Sequence, residues 1–255
     1  MQFLLPPSET KRDGGVTAPL ELDRLSFLSL TDARRGALSA LSSLCTDGEA
    51  AARALKLSAT AAPPELARNR AVEQSPTMPA IERYTGVLYD ALGVTEWRGA
   101  ARERASEHLI VHSALFGLVR ADDLIPAYRL SCDSRLPGAP MRARWSALNA
   151  EVLTSLEGPL IDLRSESYAA LGPLPDRRDA VFVRVVAVGD DGVARALNHF
   201  NKKGKGEYLR ALFTAGAVPA TIEGLCRRST ALGWPLSRTG DRELQLIVPG
   251  VLPAR

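Results

Sequence analysis

The chain has 255 residues, of which 45% are apolar and 24% are charged, and its formal net charge is +3. This composition is typical of a soluble globular protein with enough apolar residues for a sizeable core, and it excludes a predominantly disordered chain. No run of 18 apolar residues occurs, so the sequence excludes a transmembrane helix.

The first apolar run and the cysteines indicate the cellular compartment of the protein. Gln2–Leu5 stops at a pair of prolines, and it is too short and lacks the basic flank needed for a signal peptide. The three cysteines, Cys45, Cys132 and Cys226, are odd in number and widely spaced, which excludes a disulfide framework and a zinc ribbon. We therefore expect a cytoplasmic protein with reduced thiols and no membrane partner.

Apolar patterning in the first half of the chain predicts two strands and several helices. Gln2–Leu5 is expected to be a buried strand, because two prolines end it and a polar loop, Ser8–Lys11, follows. The apolar, β-branched run from His108 predicts a central strand that ends near Ser113. Helical spacing of apolar residues predicts helices over residues 31–44, 48–57 and 81–92.

The second half of the chain is expected to contain a hairpin followed by two helices. The β-rich runs 181–188 and 194–199 are joined by Gly189-Asp190-Asp191-Gly192, a typical turn between antiparallel strands. Helical patterns over 206–214 and 220–232 flank a break at 215–219, and together they predict a helix, hairpin, helix unit. The remaining predictions are a turn over 122–127, a helix over 141–156, a strand over 159–163, a loop over 233–241 and a strand over 244–248.

A basic segment lies where the second hairpin strand is expected to give way to a helix. Residues 195–210 contain five cationic residues against one acidic residue, so this window carries +4 while the whole chain carries +3. Its glycines would allow close backbone approach, the helix start would offer free N–H groups, and Lys202, Lys203 and Lys205 would supply charge. This combination predicts a phosphate site, and the absence of Gly-x-x-x-x-Gly-Lys-Ser/Thr excludes a Walker loop. A solvated helix face is the alternative.

The second helix of the predicted unit offers another site for an anion. Pro219 lies at or near its first position, where a missing N–H costs little. Two helix starts, together with Arg227 and Arg228, would bind adjacent phosphates of a nucleic-acid backbone. Ordinary helix packing with solvated arginines is the alternative.

Charged residues are concentrated in the stretch that follows the predicted central strand. Arg120, Asp122, Asp123, Tyr128 and Arg129 occur close together, and this density predicts the wall of a site. The alternative is that Asp123 and Arg129 form an ion pair that fixes the loop, because charges beside a core need partners.

The three histidines are spaced without a metal-ligand pattern. His108 and His112 would share one face of a strand, and His199 lies near the basic segment. No His-Glu-x-x-His or Cys/His set accompanies them, so we expect packed or hydrogen-bonded histidines and no bound metal or cofactor. Glu9 and Glu166 both follow predicted strands, and they are either a carboxylate pair for acid–base catalysis or hydrogen-bonding loop residues.

Six short motifs along the chain are similar, in order, to those of one bacterial family. The most specific is Ser113 to Leu124, which resembles the family's Ser-Gly-Leu-Tyr-Gly-Val-Leu-Arg-Pro-Leu-Asp signature. The others are Leu4 to Thr10 beside Ser-Pro-Ala-Lys-Thr, Tyr84 to Tyr89 beside Tyr-Thr-Gly, Tyr128 to Leu130 beside Pro-Tyr-Arg-Leu, Asp162 to Tyr168 beside Asn-Leu-Ala-Ser-x-Glu-Tyr, and Lys202 to Gly206 with Arg210 beside Lys-Lys-Ala-Arg-Gly. The chain thus resembles the YaaA family of bacterial peroxide-stress proteins over nearly its whole length.

The resemblance implies a mixed α/β fold in a single domain spanning residues 1–255, with a twisted mixed sheet, surrounding helices and a helix-hairpin-helix element at about 206–232. It also implies DNA binding, with double-stranded DNA as the expected partner, and a role in limiting iron-dependent oxidative damage. Glu9 departs from the pattern, because the family has a lysine there, although Lys11 lies close by. The residues expected to bind phosphate or nucleic acid are Lys11, Arg120, Arg129, Lys202, Lys203, Lys205 and Arg210.

Two other functions fit the same residues. An acidic residue in the first loop suits a base edge or a cationic group of a small ligand, which favours an enzyme acting on a nucleobase or nucleotide. Its pocket would be lined by Ser8, Glu9, Thr10, Tyr84, Ser113, Asp123, Tyr128, Ser165, Glu166 and His199. The third function is that of a regulator whose basic surface docks an acidic protein, and it predicts neither DNA binding nor ligand binding.

Overall fold

The structure is a computed structural model, and it describes residues 1–15, 18–188, 194–196 and 200–248. Its strands are β1 (Gln2–Leu5), β2 (Met78–Pro79), β3 (Leu109–Ser113), β4 (Gly117–Arg120), β5 (Leu124–Ile125), β6 (Leu160–Asp162), β7 (Ala180–Val188), β8 (Ala194–Ala196), β9 (Leu236–Gly240) and β10 (Glu243–Ile247). Its α-helices are α1 (Thr31–Leu44), α2 (Gly48–Ala54), α3 (Ala62–Arg70), α4 (Ala80–Arg83), α5 (Val87–Leu92), α6 (Ala100–His108), α7 (Met141–Ser155), α8 (Glu166–Ala169), α9 (Phe200–Thr214) and α10 (Ile222–Ala231). Short 3₁₀ turns lie at Leu22–Arg24, Leu28–Leu30 and Val94–Glu96.

One large sheet organises the fold, and its centre is parallel. The strand order is β4, β3, β1, β6, β7, β10 and β9, and β8 pairs with one end of β7. Pairing is parallel from β3 through β10, whereas β4, β8 and β9 are antiparallel to their neighbours. The predicted mixed α/β fold, with a mixed sheet and surrounding helices, is therefore confirmed.

The central strands are buried on both faces, because successive side chains of a strand point to opposite sides and helices cover each side. Leu4 of β1 packs in one cluster with Leu153 of α7. Its neighbours Phe3 and Leu5 pack in the larger cluster on the other side, and all three side chains are inaccessible to solvent. A short apolar run with no polar alternation is the sequence pattern that this environment requires.

Besides the basic segment, four predicted elements of the fold differ from the structure. The turn predicted over 122–127 contains β5, which pairs with β2. The helix predicted over 81–92 is divided into α4 and α5, since Gly86 adopts a φ of 93°, which a helix does not allow. His108 ends α6 and does not lie in the strand with His112. The loop predicted over 233–241 contains β9, which pairs with β10 across a register shift at Glu243.

The basic segment differs most from its prediction. We expected the helix to begin at Gly206, with the lysines in a glycine-containing loop before it, but α9 begins at Phe200. A Cβ on Gly206 would lie 2.2 Å from the carbonyl oxygen of Leu88, and one on Gly204 would lie 2.6 Å from Cγ2 of Val248. These glycines therefore allow α9 to pack closely against its neighbours, and the predicted glycine loop around a phosphate is wrong.

Of the two predicted hairpins, the first falls only partly within the described residues, and the second falls wholly within them. The antiparallel pairing of β7 with β8 confirms the first one, while its turn, Gly189-Asp190-Asp191-Gly192, lies outside them. Residues 215–221 connect α9 with α10, and the side chain of Thr221 caps α10 by accepting a hydrogen bond from the amide of Gly224. A role for this connection as a nucleic-acid-binding hairpin stays a prediction.

Candidate functional site

A cavity of about 840 Å³ lies where the parallel strands β1 and β6 end. Ligand sites of open α/β sheets form at such carboxyl edges. The cavity extends along β7, which pairs with β6 only as far as Phe182 and with β8 only from Val186 onward. Its walls are the loop after β1 (Pro6–Thr10), the segment Ser131–Asp133, the segment Arg164–Tyr168 after β6, the stretch Phe182–Val186 of β7, and Asn201, Lys202 and Lys205 of α9.

Lys11 holds the loop after β1 in place through its buried side chain. Its Nζ donates hydrogen bonds to the carbonyl oxygens of Ser8 (2.9 Å) and Glu9 (3.2 Å), and it lies 4.1 Å from the ring centre of Tyr128. Burial lowers the pKa of Lys11 to about 7, and the nearby Arg129 guanidinium lowers it as well. Lys11 is buried and is not among the residues that line the cavity, so it supports the wall from behind.

Three buried hydroxyl groups form a chain beside Lys11. The Tyr84 and Tyr128 hydroxyls are 2.8 Å apart, and the Tyr128 hydroxyl is 2.7 Å from Oγ of Ser113. Oγ of Ser113 also accepts hydrogen bonds from the backbone amides of Leu115 and Phe116. Burial raises the pKa of both tyrosines, so these hydroxyls stay protonated at neutral pH.

Arg164, in the wall after β6, is held by buried partners. Its guanidinium binds both carboxylate oxygens of Asp162 (2.8 and 2.6 Å), donates to the carbonyl oxygen of Gly172 (2.9 Å) and lies 2.8 Å from Nδ1 of His112. Burial and the Arg164 charge hold the pKa of His112 well below its usual value. His112 is therefore a neutral acceptor for Arg164, as expected for a hydrogen-bonded core histidine.

The α9 wall presents two lysines to the cavity. Lys205 is 5% exposed, and burial lowers its pKa from 10.5 to about 8, although Asp162 acts in the opposite direction. In the described part of the chain, neither Lys202 nor Lys205 has an ion-pair or hydrogen-bond partner. Oδ1 of Asn201, on the same wall, is buried and also has no partner there. Because both lysines lack an ion-pair partner there, this wall is the part of the cavity that is best suited to bind an anion.

The acidic residues of the cavity are already paired. Glu9 contacts the Arg129 guanidinium, Asp133 contacts Lys56, and Glu166 lies 3.5 Å from Arg184, which also binds Glu243. The structure thus places both carboxylates of the predicted pair, Glu9 and Glu166, on the cavity walls, each beside an arginine. Their use in acid–base catalysis stays a prediction.

The predicted site residues divide into three groups. Ser8, Glu9, Thr10, Ser165, Glu166, Lys202 and Lys205 line the cavity. Lys11, Tyr84, Ser113, Tyr128 and Arg129 form or contact the buried layer behind its first loop. Arg120, Asp123, Lys203 and Arg210 lie elsewhere, and His199 lies outside the described residues.

Asp123 and Arg129 do not pair, contrary to the alternative prediction for their loop. The Asp123 carboxylate accepts hydrogen bonds from Ser26 and from the backbone amide of Arg120 (2.9 Å). Arg129 turns instead to Glu9. Asp123 therefore stabilises the turn after β4 and connects it to Ser26 through hydrogen bonds. The pattern of charges in the sequence does not reveal these partners.

Several cavity residues were not selected from the sequence. Arg164, Asn201, Arg184 and the segment Ser131–Asp133 all line the cavity. The signal for Arg164 was its position directly after an apolar strand, in the same motif as the selected Ser165. Nothing in the sequence marks Arg184, because it lies in the middle of a strand whose other side chains are apolar.

No metal site and no membrane span are found within the described residues. No three His, Cys, Asp or Glu side chains come close enough there to hold a metal ion. None of the helices there is both long and apolar enough to cross a bilayer.

Comparisons with known proteins extend over every residue that lines this cavity. A family model described as peroxide stress protein YaaA matches residues 1–232. The chain belongs to the YaaA family of peroxide stress proteins. Membership of the YaaA family, which the six motifs predicted, is thus confirmed.

Relatives of this YaaA chain carry the name UPF0246 protein. One from Corynebacterium efficiens is 46% identical over 220 residues, which cover 84% of this chain and 86% of the relative. One from Streptomyces coelicolor is 40% identical over 237 residues, covering 92% and 91%. A more distant one from Lacticaseibacillus casei is 28% identical over 136 residues, covering 52% and 55%.

Proposed function

We propose that this peroxide stress protein acts in the cytoplasm by binding nucleic acid, with double-stranded DNA as the expected form, and so limits iron-dependent oxidative damage. The cationic α9 wall of the cavity is the proposed point of contact with phosphate. Family membership supports the link to peroxide stress. The charge distribution within the cavity supports the phosphate contact.

The observation that carries this proposal is the unbalanced positive charge on the α9 wall. Arg164 is balanced by Asp162, and Arg184 is balanced by Glu243 and Glu166. Lys202 and Lys205 have no acidic partner among the described residues. A buried ammonium without a counterion is costly, and a bound phosphate would supply one.

The connection between α9 and α10 is the proposed second contact with the nucleic-acid backbone. Arg228 donates a hydrogen bond to the carbonyl oxygen of Ala215 and thereby fixes this connection. Arg227, which precedes Arg228 in α10, is exposed, and Gly216 has a φ of 134°, which only glycine adopts readily. Backbone amides at such a turn, with a neighbouring arginine, suit a sequence-independent phosphate contact.

A salt titration tests nucleic-acid binding. Binding of a short DNA duplex should weaken sharply between about 50 and 200 mM salt, because each neutralised phosphate releases counterions. The double variant Lys202→Gln/Lys205→Met should flatten the plot of log affinity against log salt by about two counterions. Lys203→Gln is the single-site control on the same helix, because Lys203 pairs with Glu207 away from the cavity. A salt-independent affinity, or no binding at all, would refute nucleic-acid binding.

A nucleotide-binding enzyme is the second candidate, and the size of the cavity favours it. A volume of about 840 Å³ falls in the range of about 300–1,000 Å³ that small-molecule pockets occupy. A panel of purines, nucleosides and nucleotides should then raise the melting temperature, because a ligand that binds only the folded state stabilises it. If no member of the panel shifts the melting temperature, this candidate is wrong.

A further inference from the structure

The depth of Lys205 restricts which phosphate can reach it. Only 5% of this residue is exposed, whereas Lys203, two positions earlier on the same helix, is exposed at a different surface. A phosphate in the middle of a duplex strand carries a sugar on each side and is part of a wide, stiff double helix. Such a group contacts the exposed Lys202 more readily than the buried Lys205.

A terminal phosphate has no such restriction, because one side of it is free. It also carries more negative charge than a phosphate within the backbone, since its second ionisation occurs near pH 6. Lys202 and Lys205 together supply two positive charges that form no ion pair within the described chain, and Asp162, the carboxylate that acts on Lys205, is already bound to Arg164. The charge of the wall therefore matches a terminal phosphate better than a backbone one.

The size of the cavity indicates that the ligand is larger than phosphate alone. A volume of about 840 Å³ falls in the range of about 300–1,000 Å³ that small-molecule pockets occupy. Asn201, Ser165 and Ser167 also line this cavity, and they supply hydrogen-bonding groups for a polar ligand of this size, such as one that carries a sugar or a base.

We infer that the cavity receives a nucleotide with a terminal phosphate, with the phosphate bound to Lys202 and Lys205 and the sugar or base among the polar lining residues Asn201, Ser165 and Ser167. This inference rests on the proposed function and specifies its ligand. Two sources share the chemistry, the phosphorylated end of a DNA strand and a free mononucleotide. A strand end would enter the cavity while the duplex stays outside.

The test compares DNA molecules that differ only at their ends. Three forms of one duplex are needed: one with phosphorylated single-stranded overhangs, one with hydroxyl-terminated overhangs and a closed dumbbell without ends. Fluorescence anisotropy at one salt concentration should show the phosphorylated form binding about tenfold more tightly than the other two, as expected for charge-assisted hydrogen bonds. Phosphate is placed at the 5′ end in one set and at the 3′ end in another.

Two matched variants assign the preference to the cavity. Lys205→Met should abolish the preference for phosphorylated ends, and Lys203→Met, which removes the same charge from another surface of α9, should keep it. Lys202→Met is a second cavity variant at an exposed position, where folding is not in question. Equal binding of the dumbbell and the phosphorylated duplex would overturn the inference while leaving nucleic-acid binding intact. Loss of the preference in Lys203→Met would overturn it as well.

Mononucleotides separate the two sources. AMP should raise the melting temperature and adenosine should not, if the free nucleotide is the ligand. A response to AMP without any DNA binding would keep the inference and refute the nucleic-acid function. A preference for phosphorylated DNA without a response to AMP would identify the strand end as the ligand. Failure of both DNA and AMP to bind would overturn the inference and the function together.

Discussion

At the scale of single residues, the buried cations differ in how they are compensated. Arg34 and Arg164 are fully buried, and their guanidinium groups are bonded to backbone carbonyls or a carboxylate. Lys11 is bonded to two carbonyls, whereas Lys205 has no acceptor among the described residues. A guanidinium presents five donors in a fixed plane, which suits structural roles, while a lone ammonium suits a removable partner. Lys205 is therefore the buried cation whose partner is expected to be a ligand.

The cost of burying Lys205 gives a prediction about stability and pH. Its folded-state pKa of about 8 lies below the ordinary 10.5, so the unfolded chain binds the proton more strongly. Burial of Lys205 therefore lowers the free energy of unfolding by its full amount below about pH 8, and this loss decreases as the pH rises toward 10.5. Lys205→Met should accordingly be more stable than the parent protein at pH 7, by up to about 3 kcal/mol. Urea unfolding at pH 7 and pH 10 checks this, and a stability difference that does not shrink at high pH would contradict it.

The hydroxyl chain behind the cavity gives a second prediction at this scale. Tyr128→Phe removes the middle hydroxyl, which leaves both Tyr84 and Ser113 without that partner, and should cost about 1–3 kcal/mol of the free energy of unfolding. Tyr84→Phe removes only the end of the chain and should cost less. Thermal or urea unfolding of the two variants shows which of them loses more stability. An equal or larger loss in Tyr84→Phe would show that the hydroxyls do not act as a chain.

At the scale of elements, α9 has different chemistry on two surfaces. Lys202 and Lys205 are three residues apart and share the cavity side, as helical geometry requires. Lys203, Glu207 and Arg210 line a separate groove beside α5, where Lys203 pairs with Glu207 and Arg210 pairs with Glu96. The cations of α9 are therefore divided between two surfaces, and only one of these surfaces has lysines without ion-pair partners in the described chain.

The close contact of α9 with α5 gives a prediction with a matched control. Gly206→Ala should destabilise the protein by about 1–3 kcal/mol, because the new Cβ would meet backbone atoms of α5 at 2.2 and 3.0 Å. Gly36→Ala, in α1, meets only the end of the Arg144 side chain at 3.5 Å and should stabilise by about 0.5–1 kcal/mol. Unfolding midpoints of the two variants should move in opposite directions. A stabilising Gly206→Ala would mean that α9 and α5 are not packed this closely.

At the scale of the whole molecule, the sequence predicted most of the sheet and about half of the site. β1, β3, β6, β7 and β10 are apolar or β-branched runs between turn signals, so their positions could be predicted locally. The order of the strands could not, because it depends on contacts between distant segments. It is this order that brings the loops after β1 and β6 to one cavity.

The unsuccessful predictions share a physical cause. Gly204 and Gly206 were interpreted as loop residues because glycine disfavours helices, and tertiary packing outweighed that preference. The alternative ion pair between Asp123 and Arg129 rests on charge alone, and each of these residues has a partner from another segment. Charge and propensity are local properties, and they do not specify which distant group a side chain meets. The residues that form each wall of the cavity could therefore be identified only from the three-dimensional fold.

The most direct test of the proposed site is an NMR titration of the lysine side chains. The chain has only five lysines, so selective ¹³Cε labelling should resolve the signal of Lys205. Without ligand, this signal should titrate at a pKa of about 8. With saturating 5′-phosphorylated DNA or mononucleotide, the bound phosphate should raise the pKa of Lys205 toward or above its ordinary value of 10.5. An unchanged Lys205 pKa in the saturated complex would show that the ligand binds elsewhere, and it would contradict the assignment of this cavity as the phosphate site.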